Sequence, residues 1–518
     1  MAVWQGSGRR LRLGPVVEPQ TQSHSWYRRR WWRWPRSWPR RLRGCCSCCS
    51  GCLLIFLVVC LALLAFALTP NFYPAYPSSA RNLPAEASTV SGHGLPWLHS
   101  NGKVILDSQG RQVLLRGMNV TGLQQAKDMK PGAVPGAQDF AKMSADGFDV
   151  IRLPINWSRL EPSPGHISAS YLDLVRSVVN DAAAHGIYTI LDLHNIDWSI
   201  YYGGDGSPSW ATAGGLPRSF PLGSPWNRHL APGVLASYGV FWADLGGWQQ
   251  DVTEVWSYVA QAFRGDSAVA GFDLWNEPHP FPIPSGLFEK KYLLPFEAHV
   301  ITQLASIAPR QMWITEQTLD FGLPTYVGPL PYPNQVFSSH VFATLLEPPW
   351  QKPTPQYKIP LTLLEDQAQE AGAAPWVGEI GAGKGQANQA WVAREMNELD
   401  QFRLGWAYWD WDEGGSWAFK AMTSRLRVVA RAYPRATPGT LNTLSYDYQD
   451  GQLVLEFQGV AESHPLQVEV PSFFHTFSLT SSDPAPDVSA HLDSRDHLLT
   501  IRIADQQVNH HLVIHLSA

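Results

Sequence analysis

Gly271-Phe-Asp-Leu-Trp-Asn-Glu-Pro-His279 is the stretch whose reading decides the fold. The run Val269–Trp275 is apolar, has no helical period and stops at Asn276-Glu277-Pro278. Such a run suits a parallel strand covered on both faces. A carboxylic acid where that strand ends points out of the carboxyl end of the sheet, the catalytic face of a β/α barrel. Asn276 beside it offers a donor for a substrate hydroxyl, and Pro278 fixes the chain as it turns away.

Working outward, strands and helices alternate. Upstream, strands are expected at Val113–Asn119, Val150–Pro154 and Ile187–Leu193, with helices at Ala137–Asp146, Ala169–His185 and Val252–Arg264. A Gly/Pro/Trp-rich excursion separates the third strand from that last helix. Downstream, strands are expected at Met312–Thr315, Gln335–His340, Pro375–Gly378 and Gly405–Trp409, with helices near Phe296–Ile307, Leu361–Ala371 and Gln389–Phe402. Eight units predict an α/β fold, a (β/α)8 TIM barrel, over 95–435. No Gly-rich phosphate loop follows the first strand, which disfavours an open doubly wound sheet.

After Pro438 the period becomes two: Leu453/Leu455/Phe457, Leu466/Val468/Val470, Leu499/Ile501/Ile503 and Leu512/Ile514/Leu516 alternate with polar residues. This predicts an antiparallel β-sandwich domain over 436–518, read as a packing module.

The N-terminal end has a different composition. Residues 1–52 hold eleven Arg against one acid, Glu18, so the formal charge of -5 leaves about -15 for the remainder. Nucleic acid is therefore not an expected partner of the folded part. Residues 1–44 read as a basic Arg/Trp-rich cytoplasmic tail, 45–68 as a transmembrane segment, and 69–94 as a Pro/Ser-rich linker. The Arg-rich flank predicts a membrane-anchored protein with its catalytic domain extracytoplasmic. The alternative is secretion after cleavage near Ala67. All six cysteines lie between Cys45 and Cys60, where a thioester-linked lipid or apolar filler fits better than a metal. No metal or cofactor is implied, and nothing sets the oligomeric state.

Glycosidic bond cleavage calls for two carboxyl groups. Glu277 needs a partner, and strand ends supply Glu379, Glu316, Asp192 and Asp410. The fourth and seventh strands lie across a barrel from one another, so Glu379 can face Glu277. Periodicity alone does not choose between Glu379 and Glu316.

Asn276-Glu277-Pro278 at the fourth strand, with Glu379 at the seventh, resembles glycoside hydrolase family 5, most closely its endoglycoceramidases. The likeness runs from Leu95 through Leu114-Leu-Arg-Gly-Met-Asn119, Ile151-Arg-Leu-Pro154 and Leu191-Asp-Leu-His194. It continues past Tyr202-Gly-Gly-Asp-Gly206 and Pro208-Ser-Trp-Ala211 to Tyr408-Trp409. It implies Glu277 as acid/base and Glu379 as nucleophile of a retaining enzyme. It also puts Arg152, Asp192, His194, Asn276, His340 and Trp409 in the sugar subsite. His340-Val-Phe342 departs from the His-X-Tyr of many relatives, which removes a hydroxyl donor. Around His194 the order Asn195-Ile-Asp197 also differs, so Asp197 receives no role.

The expected function is a retaining β-glycosidase acting on a carbohydrate or glycolipid, with oligosaccharide or glucose released from ceramide. Two apolar stretches after catalytic strands, Phe281–Phe288 and Leu345–Trp350, suit a lipid aglycone. The alternatives are an endo-β-glucanase or mannanase, and a catalytically inactive carbohydrate-binding membrane protein.

Overall fold

The computed structural model describes residues 56–61, 94–124, 134–219, 226–280, 283–319, 330–342, 358–381, 389–412, 419, 425–460, 464–504 and 508–518. The chain divides into Met1–Leu68 and Thr69–Ala518. In the first unit Phe56–Leu61 is helical with exposed side chains. Among the described residues no helix is long and apolar enough to cross a membrane. The tail expected at 1–44 and all but residue 94 of the linker expected at 69–94 lie outside the described residues, as does most of the span expected at 45–68.

In the second unit eight parallel strands close into a barrel: β1 (Arg116–Asn119), β2 (Val150–Ile155), β3 (Tyr188–Leu193), β4 (Val269–Asp273), β5 (Met312–Glu316), β6 (Gln335–Val341), β7 (Ala374–Ile380) and β8 (Trp406–Tyr408). Each follows its neighbour in sequence, and β8 pairs with β1 to close the ring. The strands are buried on both faces, which is why they read as continuous apolar runs. Around them lie α1 (Ala137–Ala145), α2 (Ala169–Ala183), α3 (Pro232–Trp242), α4 (Trp248–Phe263), α5 (Leu294–Ile307), α6 (Lys358–Ala371) and α7 (Gln389–Gln401).

The strand expected at Val113–Asn119 proves to be two. Gln112–Val113 pairs with neighbours outside the barrel, and β1 begins only at Arg116. Leu114 bonds to the Arg435 carbonyl at 3.2 Å, which carries the chain from one sheet to the other. Helix α3, in the excursion, was not expected. Its buried Val234, Tyr238, Phe241 and Trp242 leave little polar contrast around it. Pro232 starts it without the loss of a needed donor. Phe241 stacks on Trp275 at 4.6 Å, so the excursion is fastened behind β4 by aromatic packing.

The sandwich consists of β9 (Tyr433–Thr437), β10 (Gly439–Asp447), β11 (Gln452–Gly459), β12 (Leu466–Glu469), β13 (Thr476–Ser481), β14 (Val488–Asp493), β15 (Leu498–Ile503) and β16 (Asn509–Ser517). One sheet has the order β10-β11-β16-β13. The other has seven strands, because Leu98–Ser100, Ile105–Asp107 and Gln112–Val113 extend it before β9-β12-β15-β14. The boundary expected at 435/436 therefore falls inside β9, and the start of the barrel region belongs to this sheet. Alternation holds: Leu453, Leu455 and Phe457 are buried with Leu512 and Ile514. At the base of the barrel, Asp400 accepts from Arg116 at 2.7 Å and from Arg431 at 2.5 Å, all three side chains being buried.

Gly271 explains part of the fit of β4. A Cβ there would stand 2.7 Å from the Met312 carbonyl oxygen of β5, and backbone does not yield cheaply. Gly271→Ala is expected to destabilise the domain by about 1–3 kcal/mol, as overpacked cores do. The check is a lower denaturant midpoint with unchanged slope. An unmoved midpoint would mean that β4 and β5 part without cost.

Candidate active site

The site assembles at the carboxyl ends of the barrel strands around one cation. Arg152, fully buried on β2, donates Nε to Asp273 at 2.8 Å, Nη1 to Glu379 at 2.8 Å and Nη2 to Glu316 at 2.6 Å. Asp192 lies 3.1 Å from Nη1, and the Asn119 and Asn276 side-chain oxygens accept at 3.2 and 2.9 Å. Burial opposes the guanidinium charge, but the four carboxylates hold its proton more tightly than in water. Arg152 and Asp192 have no exposed surface. They act on the carboxylates and on His194.

Glu277 and Glu379 meet over this base. One oxygen of each and a ring nitrogen of His340 lie within 4.8 Å of one another. His340 Nδ1 is 3.1 Å from Glu277 Oε1 and 3.6 Å from Glu379 Oε2. Strand register pairs His340 with Glu379. Phe342 follows the strand and is half-buried. Gly378 makes room here, since a Cβ would stand 3.1 Å from His340 Nε2. Burial pushes the Glu379 carboxyl up to about 7, while His340 and Arg152 pull against that rise.

The geometry separates Glu379 from Glu316. Glu316 Oε2 accepts the Glu277 backbone N–H at 2.7 Å, and Oε1 is taken by Arg152. Burial works against its charge, yet His340 and Arg152 hold it down to about 2. With both oxygens occupied, it is a fixed anion that props Glu277. Glu277 needs the prop, because its φ of 45° lies in the left-handed region that costs a side chain about 1–2 kcal/mol.

Asn276 sits 1% exposed, with its carbonyl oxygen on Arg152 and one amide proton on the Asn195 carbonyl at 3.1 Å. His194 Nδ1 is 2.8 Å from Asp192, and its ring stacks on Trp409 at 5.6 Å. That stacking occupies one face of Trp409. Tyr408 is fully buried on the barrel's outer side, against Phe419. Asp410 accepts from Thr121 at 3.0 Å and does not join the pair.

Sequence reasoning missed Asp273 and Asn119. A carboxylate in the middle of a buried run was the available signal for Asp273, since such a group needs a cation. Burial and Glu316 raise it well above the usual carboxylate range. The apolar stretch at 281–288 is also corrected in part. Phe288 is buried against Trp242 at 4.9 Å rather than presented to a ligand. Residues 281–282 and the whole of 345–350 lie outside the described residues.

Burial opposes a charge on His194, but Asp192 raises it to about 9 from 6.5. A base whose folded pKa is raised stabilises fully below its unfolded value, and the gain is lost as pH rises through the folded one. Wild-type protein is therefore expected to lose stability between pH 6.5 and about 9, and His194→Gln to lack that decline. Denaturant titrations across that window check it. Parallel curves would show that Asp192 does not hold an imidazolium.

A family model for Cellulase (glycosyl hydrolase family 5) matches residues 106–415. Endoglycoceramidase I of Rhodococcus hoagii (strain 103S) is 25% identical over 402 residues, 72% of this chain and 79% of that protein. A solved endogalactoceramidase is 27% identical with a TM-score of 0.67, covering 82% of this chain and 100% of its own. Endo-glycoceramidase II from Rhodococcus sp. shares the fold, with a TM-score of 0.69 at 22% identity over 80% of this chain and 100% of its own. The family model spans more than half of the chain, and its match ends just past the β8 residues that close the site: this chain is a glycoside hydrolase and belongs to glycosyl hydrolase family 5.

Proposed function

We propose that the chain is a retaining β-glycosidase that hydrolyses the sugar–lipid bond of a glycolipid, with Glu277 as acid/base and Glu379 as nucleophile. The observation that carries the chemistry is the approach of both carboxylates and His340 within 4.8 Å. Retaining enzymes hold their carboxyl groups about 5–5.5 Å apart, whereas inverting ones leave room for water at about 6.5–9.5 Å. Glycolipid as substrate is supported by the relatives named endoglycoceramidase and endogalactoceramidase.

In the first half, Glu379 Oε2, the oxygen that Arg152 leaves open, attacks the anomeric carbon. The bond from that carbon to the aglycone oxygen breaks, and Glu277 gives its proton to the departing oxygen. In the second half, water attacks the same carbon, Glu277 takes the water's proton, and the bond to Glu379 breaks. His340 contacts both carboxylates and keeps them aligned. The Asn276 amide is placed for the 2-hydroxyl, whose hydrogen bond strengthens at the transition state. An inactive carbohydrate-binding role is not favoured by a site with both acids so poised.

Mass spectrometry of products from a panel of glycosphingolipids and β-glucans is the test. Release of sugar from the lipids alone is expected. Glu379→Gln is expected to cost at least about a thousandfold in turnover, and Glu277→Gln about 10²–10⁴-fold. Turnover of β-glucans only would replace the glycolipid reading. Near-normal activity of Glu379→Gln would remove the nucleophile assignment.

The second part of the reading concerns place. A basic 1–44 segment before the uncharged run Cys52–Leu68 supports a membrane anchor with the catalytic domain extracytoplasmic. Protease added to intact cells is expected to digest 95–518 and to spare the tail. A mature N-terminus near Ala67 would establish secretion instead.

A further inference from the structure

One helix of the excursion grips the segment that carries the acid/base. Tyr238, Phe241 and Trp242 stand three and four positions apart on α3, so they share a face, and all three are buried. Phe241 stacks on Trp275 at 4.6 Å, and Trp242 Nε1 donates to the His279 carbonyl at 3.1 Å. The Tyr238 ring stacks on His279 at 4.9 Å. These contacts bracket Asn276 and Glu277 from both ends. Packing accounts for the ring of Tyr238, which also meets Trp198 edge-on at 5.1 Å. It does not account for the hydroxyl. A buried hydroxyl costs free energy unless it is bonded, and this one donates to Asn195 Oδ1 at 2.7 Å.

Asn195 carries that bond to the site. Its side chain is buried, and its amide donates to the Trp198 carbonyl at 3.1 Å and to Ser207 Oγ at 3.0 Å. A carbonyl only accepts, so Nδ2 has to face Trp198 and Oδ1 has to face Tyr238. Gly206 lets the chain close over it, since a Cβ there would stand 2.5 Å from Asn195 Nδ2. With its side chain held by three partners, the Asn195 backbone carbonyl is fixed, and it accepts from the Asn276 amide at 3.1 Å. At the other end, the Asn276 oxygen meets Arg152 Nη2 at 2.9 Å, and a guanidinium only donates. Both ends of the Asn276 amide are therefore specified. We infer that Tyr238 is a positioning residue, whose hydroxyl acts through Asn195 to fix the Asn276 amide for the 2-hydroxyl of the sugar. This rests on the reading of Asn276 as the donor to that hydroxyl. Burial raises the phenol of Tyr238 well above its ordinary range, so it stays protonated and remains a donor at neutral pH.

The test is a double-mutant cycle in the full-length protein: wild type, Tyr238→Phe, Asn276→Ala and the double variant. Values of kcat and KM are measured on glucosylceramide, galactosylceramide and a soluble β-glucan, and compared on the substrate that wild type cleaves fastest. Tyr238→Phe keeps the ring and its stacking and removes only the bond to Asn195. It is expected to lower kcat roughly tenfold with KM nearly unchanged, because the contact that it loosens strengthens at the transition state. In the Asn276→Ala background the same change is expected to cost less than about twofold, since a residue acting through Asn276 then has nothing to act on. Losses that multiply overturn the inference and leave Tyr238 as packing. So does a rise in KM alone, or a Tyr238→Phe protein with the kcat of wild type. If Tyr238→Phe does not fold, Ser207→Ala, which removes another anchor of Asn195, decides by the same cycle. An Asn276→Ala protein with near-normal kcat removes the reading of Asn276 itself, and the inference with it. An impaired one in which Tyr238→Phe still costs its full tenfold removes only the role of Tyr238.

Discussion

The site depends on a guanidinium that never reaches solvent. Arg152 projects from β2 into the carboxyl mouth of the barrel, where it holds Asp192, Asp273, Glu316 and Glu379. Six bonds and ion pairs reach it from β1, β3, β4, β5 and β7 or the residues just after them. Stranding any one of those carboxylates in the interior would cost about 3–5 kcal/mol. The charges balance only with help. Asp273 is pushed toward its neutral form, while His194 and His340 are held charged by their carboxylate neighbours. Three cations then face Asp192, Glu316 and Glu379.

Strain and support divide cleanly between neighbours. Glu277 occupies a left-handed backbone conformation at the end of β4. Glu316 answers it with a charge-assisted bond to its N–H, Arg152 fixes Glu316, and Asn276 is tied on both sides. Glu277 is also the most exposed of these carboxylates, at 19%. Its backbone carries the constraint.

The eight strands and their exposed ends were legible because burial on both faces makes each a short apolar run with a polar stop. The choice between Glu379 and Glu316 was not legible. Both end a strand, and only tertiary partners distinguish an anion with two filled oxygens from one with an oxygen to spare. Asp273 escaped because its partner lies more than a hundred positions away on β2. The break between Gln112–Val113 and β1 was hidden in the single apolar run 113–115, since two buried strands in different sheets look like one. Phe288 looked available to a ligand because a loop composition says nothing of what packs on it. Trp242, supplied by an unexpected helix, covers it.

The two sides of Glu277 are built by different means. The barrel strands supply Arg152, Glu316 and Glu379, whose positions are set by register to within a hydrogen bond. What lies beyond Asn195 comes from the excursion, where aromatic packing of α3 on Trp275 rather than strand pairing sets the geometry. His340 belongs to β6 instead. Glu379 is therefore held by groups that the strands supply.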